Sequence, residues 1–185
     1  GCDVVVATGP DVDGAVAFYT DGCSEMVEDL LPDGCRCVYP PARMVRDAAE
    51  DGGLIVAKEG ERIVAACILN RSPDDAYLGA RWLTDLPEGE FLVLHALRVS
   101  PDHRGMGLAG RLLEKVKDLA RARGFRSVRL DCLEGNEGAF RLYESHGFVR
   151  TDVVTITYED IGSPRRFRLF ELVLRDGVST SRSAS

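Results

Sequence analysis

Long apolar runs are missing from this sequence. No run approaches the roughly 20 apolar residues that a helix needs to cross a bilayer, and no signal peptide is visible. We therefore expect a cytoplasmic protein with no membrane partner.

Cysteine and histidine are never spaced as in a metal site. The chain has 6 cysteines and 3 histidines, but Cys35 and Cys37 are separated by a single residue, so they do not form a CxxC pair. Cys67 and Cys132 lie in apolar segments, where we interpret them as small core residues. The sequence thus predicts reduced thiols and no bound metal.

An excess of basic residues is also lacking. The formal net charge of −7 argues against nonspecific binding to nucleic acid or to anionic membranes. It is compatible with a cationic acceptor such as an amine. The length of 185 residues predicts one domain, which we place at 1–177, followed by a polar tail at 178–185.

What is present is a mixture of helices and mostly hairpin-connected strands, which predicts a mixed α/β (α+β) sheet. Helices are predicted in the early part of the chain, from Val12 to Leu31 and from Ala42 to Glu50. The predicted strands begin with a short one at Val4–Ala7 and a hairpin of Leu54–Ala57 and Ile63–Leu69. A central strand at Phe91–Val99, the next strand at Ser127–Leu133 and a late antiparallel pair, Phe148–Tyr158 and Arg166–Arg175, follow.

The segment Phe91–Glu114 carries the first functional signal. An apolar strand ends at Ser100-Pro101, and a glycine-bearing loop then leads into an amphipathic helix. The first N–H groups of a helix lack partners and its dipole makes that end positive, while glycine lets the backbone approach a phosphate closely. The segment therefore predicts an anion site at the end of a buried strand, although glycines needed only for the turn would give the same pattern.

Two longer motifs extend this signal. The first is Arg104-x-x-Gly107-x-Ala109, directly after Leu97-Arg98-Val99-x-Pro101. The second is Asn136-x-x-Ala139-x-x-Leu142-Tyr143-x-x-x-Gly147-Phe148. Together and in this order they resemble the two signature segments of the GNAT (GCN5-related N-acetyltransferase) superfamily.

The resemblance implies a fold and a reaction. The fold would be a mixed, mostly antiparallel seven-strand sheet, flanked by about four helices and splayed between strands 4 and 5. The reaction would be direct attack of an amine on acetyl-CoA, with a small-molecule amine or a peptide N-terminus as acceptor. The residues implied to bind the cofactor are Leu97, Arg98, Val99, Arg104, Gly105, Met106, Gly107, Leu108, Ala109, Asn136 and Tyr143.

Within that resemblance, Tyr143 matches the tyrosine that reaches the cofactor sulfur. A phenol donates a proton up to about pH 10, so it can protonate the departing thiolate. Asn136 matches a residue near the pantetheine arm, and it can cap a helix at the same time. The structural alternative for Tyr143 is a core tyrosine on an amphipathic helix.

The general base has three candidates. His95 has an ordinary pKa near 6.5, and strict strand alternation would place it on one face with Val93, Leu97 and Val99. Asp131 lies on the next strand, where relatives that modify protein N-termini carry a proposed acidic base. A chain of water molecules is the third candidate. The structural alternatives are a hydrogen-bonded buried histidine and a salt bridge of Asp131 with Arg129 or Arg141.

Several further expectations remain open. The rival functions are an acyl-CoA-binding sensor without transfer activity and a transferase that uses another acyl-CoA. Exposed edge strands would allow a homodimer. We also expect His103 to be exposed in its turn, Tyr77 and Trp82 either to wall the acceptor site or to pack in the core, and Glu171 to approach the acceptor side.

Overall fold

A seven-stranded sheet forms the centre of the fold in the computed structural model, which describes residues 1–21, 38–159 and 161–175. Its order is β1-β2-β3-β4-β5-β7-β6. The strands are β1 (Asp3–Val6), β2 (Leu54–Glu59), β3 (Arg62–Asn70), β4 (Phe91–Val99), β5 (Ser127–Leu133), β6 (Val149–Ile156) and β7 (Arg165–Val173).

The pairing of β4 with β5 differs from every other pairing among these strands. It is parallel and covers only three residue pairs, from Phe91↔Ser127 to Val93↔Arg129, whereas the other neighbours are antiparallel. Beyond Val93 the two strands are no longer partners, so the sheet opens there. The mixed sheet and its splay between the fourth and fifth strands are confirmed.

Four helices of the described residues cover both faces of the sheet. They are α1 (Val12–Asp21), α2 (Ala42–Glu50), α3 (Leu108–Ala122) and α4 (Glu137–Ser145). The buried side chains of α1 and α2 pack with alternate residues of β2 and β3, while those of α3 and α4 pack on the opposite face. Because both faces are covered, β2 and β3 are nearly continuous apolar runs.

Helix ends follow the local sequence. Gly124 and Gly147 adopt φ of +78° and +91° directly after the caps of α3 and α4, a conformation that glycine takes without strain. The Asn136 side chain caps α4 by accepting a hydrogen bond from the Ala139 N–H at 3.2 Å. The predicted cap at Asn136 is confirmed, as are helix Ala42–Glu50 and strand Ser127–Leu133.

Two predictions extend past the described residues. The first predicted helix is seen as α1 up to Asp21, and its continuation to Leu31 lies outside them, as does the tail at 178–185. None of the helices in the described part of the chain is both long and apolar enough to traverse a bilayer.

Candidate active site in the splayed sheet

A β-bulge reverses the faces of the second half of β4. Ala66 of β3 pairs with Arg98, but Ile68 pairs with His95, so two residues of β4 lie opposite one residue of β3. Within the bulge Ala96 has φ of +53°, which costs about 1–2 kcal/mol for a residue with a Cβ. Tyr19 of α1 supports this strained turn by donating a hydrogen bond to the Ala96 carbonyl at 2.8 Å.

The bulge makes one prediction wrong. His95 follows Val93 in unbroken alternation, and Val93 packs with the cluster under the β3–β4 connection. Leu97 and Val99 instead pack against the cluster formed with α3 and α4. His95 therefore does not share a face with Leu97 and Val99, because the extra residue shifts the two-residue period by one.

The opening between β4 and β5 contains a pocket of about 230 Å³, which we call the gap pocket. It brings together residues that are far apart in the sequence, from β4, β5, α4 and the segments flanking α2 and β6. Its lining includes every predicted catalytic residue and part of the predicted cofactor set: His95, Leu97, Arg98, Asp131, Asn136 and Tyr143. Tyr39, Ala139, Tyr158 and Phe167 are among its other lining residues.

The predicted phosphate loop has the geometry of an anion site. Gly105 and Gly107 have φ of +77° and +76°, and a Cβ built at either position meets no protein atom within 4 Å. Gly107 is the N-cap of α3, and the first turn of that helix contains no acidic residue. The space in front of these two glycines is therefore open, and the N–H groups that a first helical turn leaves without intrahelical partners favour an anion there.

Two arginines near this loop, and His103 in the turn before it, each contact a different protein group. Arg98 donates a hydrogen bond to the Tyr39 carbonyl at 3.1 Å and lies 5.7 Å from the Tyr19 ring, on the α1 side of the sheet. Arg111 donates to the Cys2 carbonyl at 2.8 Å. His103 is buried and its Nε2 is 3.0 Å from Glu59 Oε2, so our expectation that it is exposed was wrong.

Cys2, Glu59 and His103 form a cluster that spacing along the chain did not reveal. Their potential ligand atoms all lie within 4.8 Å of one another. The turn at Pro101–His103 and the end of β2 bring them together, although they come from three separate segments. Within this cluster Glu59 and His103 form an ion pair when the imidazole is protonated.

Tyr143 lies on the inner side of α4 and lines the gap pocket. Its ring packs at 5.8 Å from Phe148 and 5.5 Å from Phe170, measured between centroids, which fixes its direction. Burial raises the pKa of Tyr143 well above its usual value, so the hydroxyl stays protonated. The side chain is thus a core residue that also lines the pocket with its phenol protonated.

Both ring nitrogens of His95 are engaged. Asn70 Oδ1 accepts from the Ser72 N–H at 3.0 Å, which fixes the orientation of its amide, so the contact of 2.7 Å to His95 Nε2 requires that nitrogen to donate. His95 Nδ1 is then the acceptor for the Tyr39 hydroxyl at 3.2 Å. Burial lowers the pKa of His95 to about 4, so the imidazole is neutral at pH 7.

Asp131 is held by two phenols rather than by an arginine. Tyr77 and Tyr158 both donate to its Oδ2, at 2.6 and 2.7 Å. Burial raises the pKa of Asp131, and these two hydrogen bonds offset only part of that rise. The suggested salt bridge with Arg129 is not formed, because Arg129 pairs with Glu171.

Glu171 is a buried structural carboxylate. It accepts from the Leu83 and Thr84 N–H groups at 2.6 and 3.1 Å, and it pairs with Arg129 at 2.9 Å. The Arg129 guanidinium is packed between Trp82 and Phe91, at 4.4 and 4.1 Å from their ring centroids. This network fixes the β3–β4 connection to β5 and β7, so Glu171 does not face an acceptor pocket as we had suggested.

Sequence reasoning missed most of the tyrosines. The chain has five, and all of them lie at the splayed region. Tyr19 supports the bulge, Tyr143 lines the gap pocket, and the other three contact the two candidate bases. No local pattern marks Tyr39 or Tyr158, because their role depends on two distant segments meeting across the sheet.

A second pocket, of about 640 Å³, lies on the α2 side of the gap. We call it the α2 pocket. It shares Tyr39, His95 and Tyr158 with the gap pocket, so these three side chains separate the two spaces. The rest of its lining is mainly from α2 and the start of the β3–β4 connection, with four carboxylates and one arginine: Arg43, Asp47, Glu50, Asp51 and Asp74.

Comparison with known proteins agrees with this geometry. The sequence profile of the Acetyltransferase (GNAT) family matches residues 24–148. An uncharacterized N-acetyltransferase of Methanocaldococcus jannaschii is 31% identical over 112 residues, covering 60% of this chain and 44% of that protein. N-acetyltransferase 8 of Rattus norvegicus is 36% identical over 100 residues, covering 54% and 40%. The chain thus belongs to the GNAT family, and it spans less than half the length of these two relatives.

Solved structures support the same fold. An acetyltransferase from Salmonella typhimurium, determined with its cofactor acetyl-CoA, superposes with a TM-score of 0.70 at 16% identity, covering 98% of this chain and 99% of that one. The ribosomal-protein-alanine N-acetyltransferase from Brucella melitensis gives 0.69 at 17% identity, covering 93% and 99%. At these identities the likeness establishes the fold.

Proposed function

We propose that this protein transfers an acetyl group from acetyl-CoA to an amine by direct attack. The observation that carries the proposal is the gap pocket, where a buried phenol donor, Tyr143, faces two candidate bases across the opening between β4 and β5. The acceptor is a small-molecule amine or a peptide N-terminus. Acetyl-CoA supplies the activated acetyl group and the thiolate leaving group.

The phosphate loop supports acetyl-CoA as the acyl donor. Residues Arg104–Ala109 would hold the pyrophosphate through backbone N–H groups, since the two positive-φ glycines leave room for a close approach. The β5-facing edge of β4 beyond Val93 pairs with no strand among those described, so backbone groups near Leu97 and Val99 are available to the pantetheine arm. Asn136, at the start of α4, lines the same pocket.

We assign the base to Asp131 rather than to His95. A general base works best when its pKa is close to the working pH. Burial moves the pKa of Asp131 towards neutrality, whereas it moves the pKa of His95 to about 4 and leaves the imidazole a weak base. His95 then acts as a positioning residue that fixes Tyr39 through its Nδ1.

The first experiment is acetyl-CoA-dependent thiol release over a broad amine panel, with the rate in the absence of amine subtracted. Saturable release with one chemical class of amine is the expected result. Tight acetyl-CoA binding without release from any amine or peptide would instead favour a sensor. Release only with succinyl-CoA or propionyl-CoA would change the acyl group and keep the reaction class.

We expect Gly107→Ala to weaken acetyl-CoA binding by about 10-fold or more. The added Cβ projects into the open space of the phosphate loop, and a φ of +76° costs alanine about 1–2 kcal/mol. The measurement is the Kd for acetyl-CoA by titration calorimetry together with the unfolding temperature.

Gly124→Ala is the matched control for this prediction. Gly124 has φ of +78° and equally open surroundings, but it follows the C-terminal end of α3. Gly124→Ala should lower the unfolding temperature about as much as Gly107→Ala does, and it should leave the Kd for acetyl-CoA unchanged. Equal Kd values for both variants would argue against phosphate binding at Gly107.

We expect Asp131→Asn to lower kcat by about 100-fold and to abolish the acidic limb of the pH–rate profile, because the amide cannot accept the amine proton. His95→Gln should retain kcat within about fivefold and keep the acidic limb. The comparison is made from pH 5 to 9 at saturating acetyl-CoA. Loss of the acidic limb in His95→Gln, with the limb intact in Asp131→Asn, would assign the base to His95.

A further inference from the structure

We propose that Tyr158 carries the amine proton to Asp131, so that the two side chains form a relay between the pocket where the amine enters and the buried base. This inference rests on the acetyl transfer proposed above. It assigns a catalytic role to a residue that lies outside both sequence motifs.

The position of Tyr158 between the two pockets is the first argument. Tyr158 lines both the gap pocket and the α2 pocket, whereas Asp131 lines the first of these two and not the second. The α2 pocket, with four carboxylates and one arginine, suits the entry of a basic amine, and an amine that entered there would meet Tyr158 before it reached Asp131. The phenol is the group that contacts both spaces and is hydrogen-bonded to the carboxylate.

The hydrogen-bond geometry is the second argument. Tyr158 donates to Asp131 Oδ2 at 2.7 Å, a short O–H···O⁻ contact suited to proton transfer. Its ring is fixed on two sides, with centroids 5.2 Å from Tyr39 and 5.2 Å from Phe167. A hydroxyl held in this way keeps its oxygen lone pairs available to a second partner while its proton points at the carboxylate.

The ionisation states are the third argument. Burial and the negative charge of Asp131 raise the pKa of Tyr158, so the side chain remains a neutral phenol at working pH. A neutral phenol is a poor base by itself. It can nevertheless accept one proton while it donates another, which makes the carboxylate the final acceptor.

The protons and bonds balance in such a step. The amine nitrogen forms its bond to the acetyl carbon, and its proton passes to the Tyr158 oxygen as the Tyr158 proton passes to Asp131 Oδ2. The carbon–sulfur bond breaks, and Tyr143 gives its proton to the thiolate. Asp131 has then gained the proton that Tyr143 has lost, and exchange with solvent restores both.

Tyr77 provides a matched control within the chain. It donates to the same Oδ2 at 2.6 Å, but its other surroundings are Trp82 and the pocket below the β3–β4 connection. Removing either hydroxyl takes one hydrogen bond from the carboxylate, which raises the pKa of Asp131. Only removal of the Tyr158 hydroxyl also breaks the path from the amine.

Other groups near Asp131 affect the same pH profile. Asp74 raises its pKa through its negative charge. Four other groups share the gap pocket with Asp131: Tyr143 of α4, His95 of β4, Cys132 of β5 and Tyr39 from the segment before α2. All of them are present in both variants, so the comparison of Tyr158→Phe with Tyr77→Phe cancels their effects.

The experiment is the pH dependence of kcat for the full chain, for Tyr158→Phe and for Tyr77→Phe, with the best amine of the panel. Both variants should shift the acidic limb to higher pH. Tyr77→Phe should recover most of the wild-type rate on the high-pH plateau, whereas Tyr158→Phe should stay about 100-fold below it. The Kd for acetyl-CoA should change by less than about threefold in both.

Equal plateau rates for the two variants would overturn the relay and leave Tyr158 as a residue that only holds Asp131. A wild-type chain that releases no thiol with any amine would overturn the proposed function and the relay with it, so the two failures are distinct.

Should Tyr158→Phe fail to fold, 3-fluorotyrosine at position 158 keeps the hydroxyl and lowers its pKa. A relay then requires an altered plateau rate, and an unchanged rate contradicts it.

Discussion

Tyr143→Phe should lower kcat by about 100-fold while the Kd for acetyl-CoA changes by less than about twofold. The phenol hydroxyl is the part of Tyr143 that can protonate the thiolate, and general acid catalysis of this kind contributes about 10²–10⁴-fold. The ring, which packs against Phe148 and Phe170, is retained in the variant. The loss should therefore appear in turnover rather than in cofactor binding.

The measurement combines steady-state thiol release, acetyl-CoA titration and thermal unfolding on the same preparation. The unfolding temperature should change by only a few degrees, because the substitution deletes one hydroxyl at the edge of the gap pocket. An unchanged kcat would remove Tyr143 from the acid role and leave it as a core residue of α4. A large rise in the Kd with kcat retained would assign it to cofactor binding alone.

Glu171→Ala should lower the free energy of unfolding by about 3–5 kcal/mol, which corresponds to roughly 10 °C in Tm for a chain of this size. The variant leaves the Arg129 guanidinium buried without its carboxylate, at a side-chain exposure of 5%. It also removes the acceptor for the Leu83 and Thr84 N–H groups and for the Ser127 hydroxyl. Urea unfolding measures the free energy of unfolding, and calorimetry measures the Tm.

Glu134→Ala is the control for that prediction. Glu134 pairs with Arg168 through two contacts of 2.9 and 3.2 Å, but the pair lies at the surface, where such contacts contribute little. The double variant Arg129→Met with Glu171→Leu should recover part of the lost stability, since it leaves no unpaired buried charge. If the double variant is as unstable as Glu171→Ala, the unpaired arginine is not the cause.

The same carboxylate predicts a pH dependence. Burial alone would raise the pKa of Glu171, but hydrogen bonds from Ser127, Thr84 and Arg129 lower it overall, below the ordinary value of 4.5. The folded state then binds fewer protons than the unfolded state. The stabilisation is therefore present above about pH 4.5 and is lost as the pH falls through the folded pKa, so Glu171→Ala should show a shallower acid dependence of stability than the wild type.

The sequence by itself determined the local structure of the segments that we propose bind acetyl-CoA. The phosphate loop, the cap at Asn136 and the placement of Tyr143 all follow from residues close together in the chain, and helix and turn geometry is local. The sheet with its splay, and membership in the GNAT family, were predicted through the two motifs. The loop, the cap and the position of Tyr143 could be predicted because each depends on residues that are close together in the sequence.

The tertiary structure alone decided the surroundings of the candidate bases. The bulge at Ala96 reversed the face of Leu97 and Val99, and strand periodicity cannot signal one extra residue, because it depends on pairing with β3. The partners of Asp131, namely Tyr77 and Tyr158, are 54 and 27 residues away from it in the chain. Their meeting point depends on how three segments pack across the opened sheet, and burial there moves the pKa values of His95 and Asp131 in opposite directions, because desolvation disfavours whichever form carries charge.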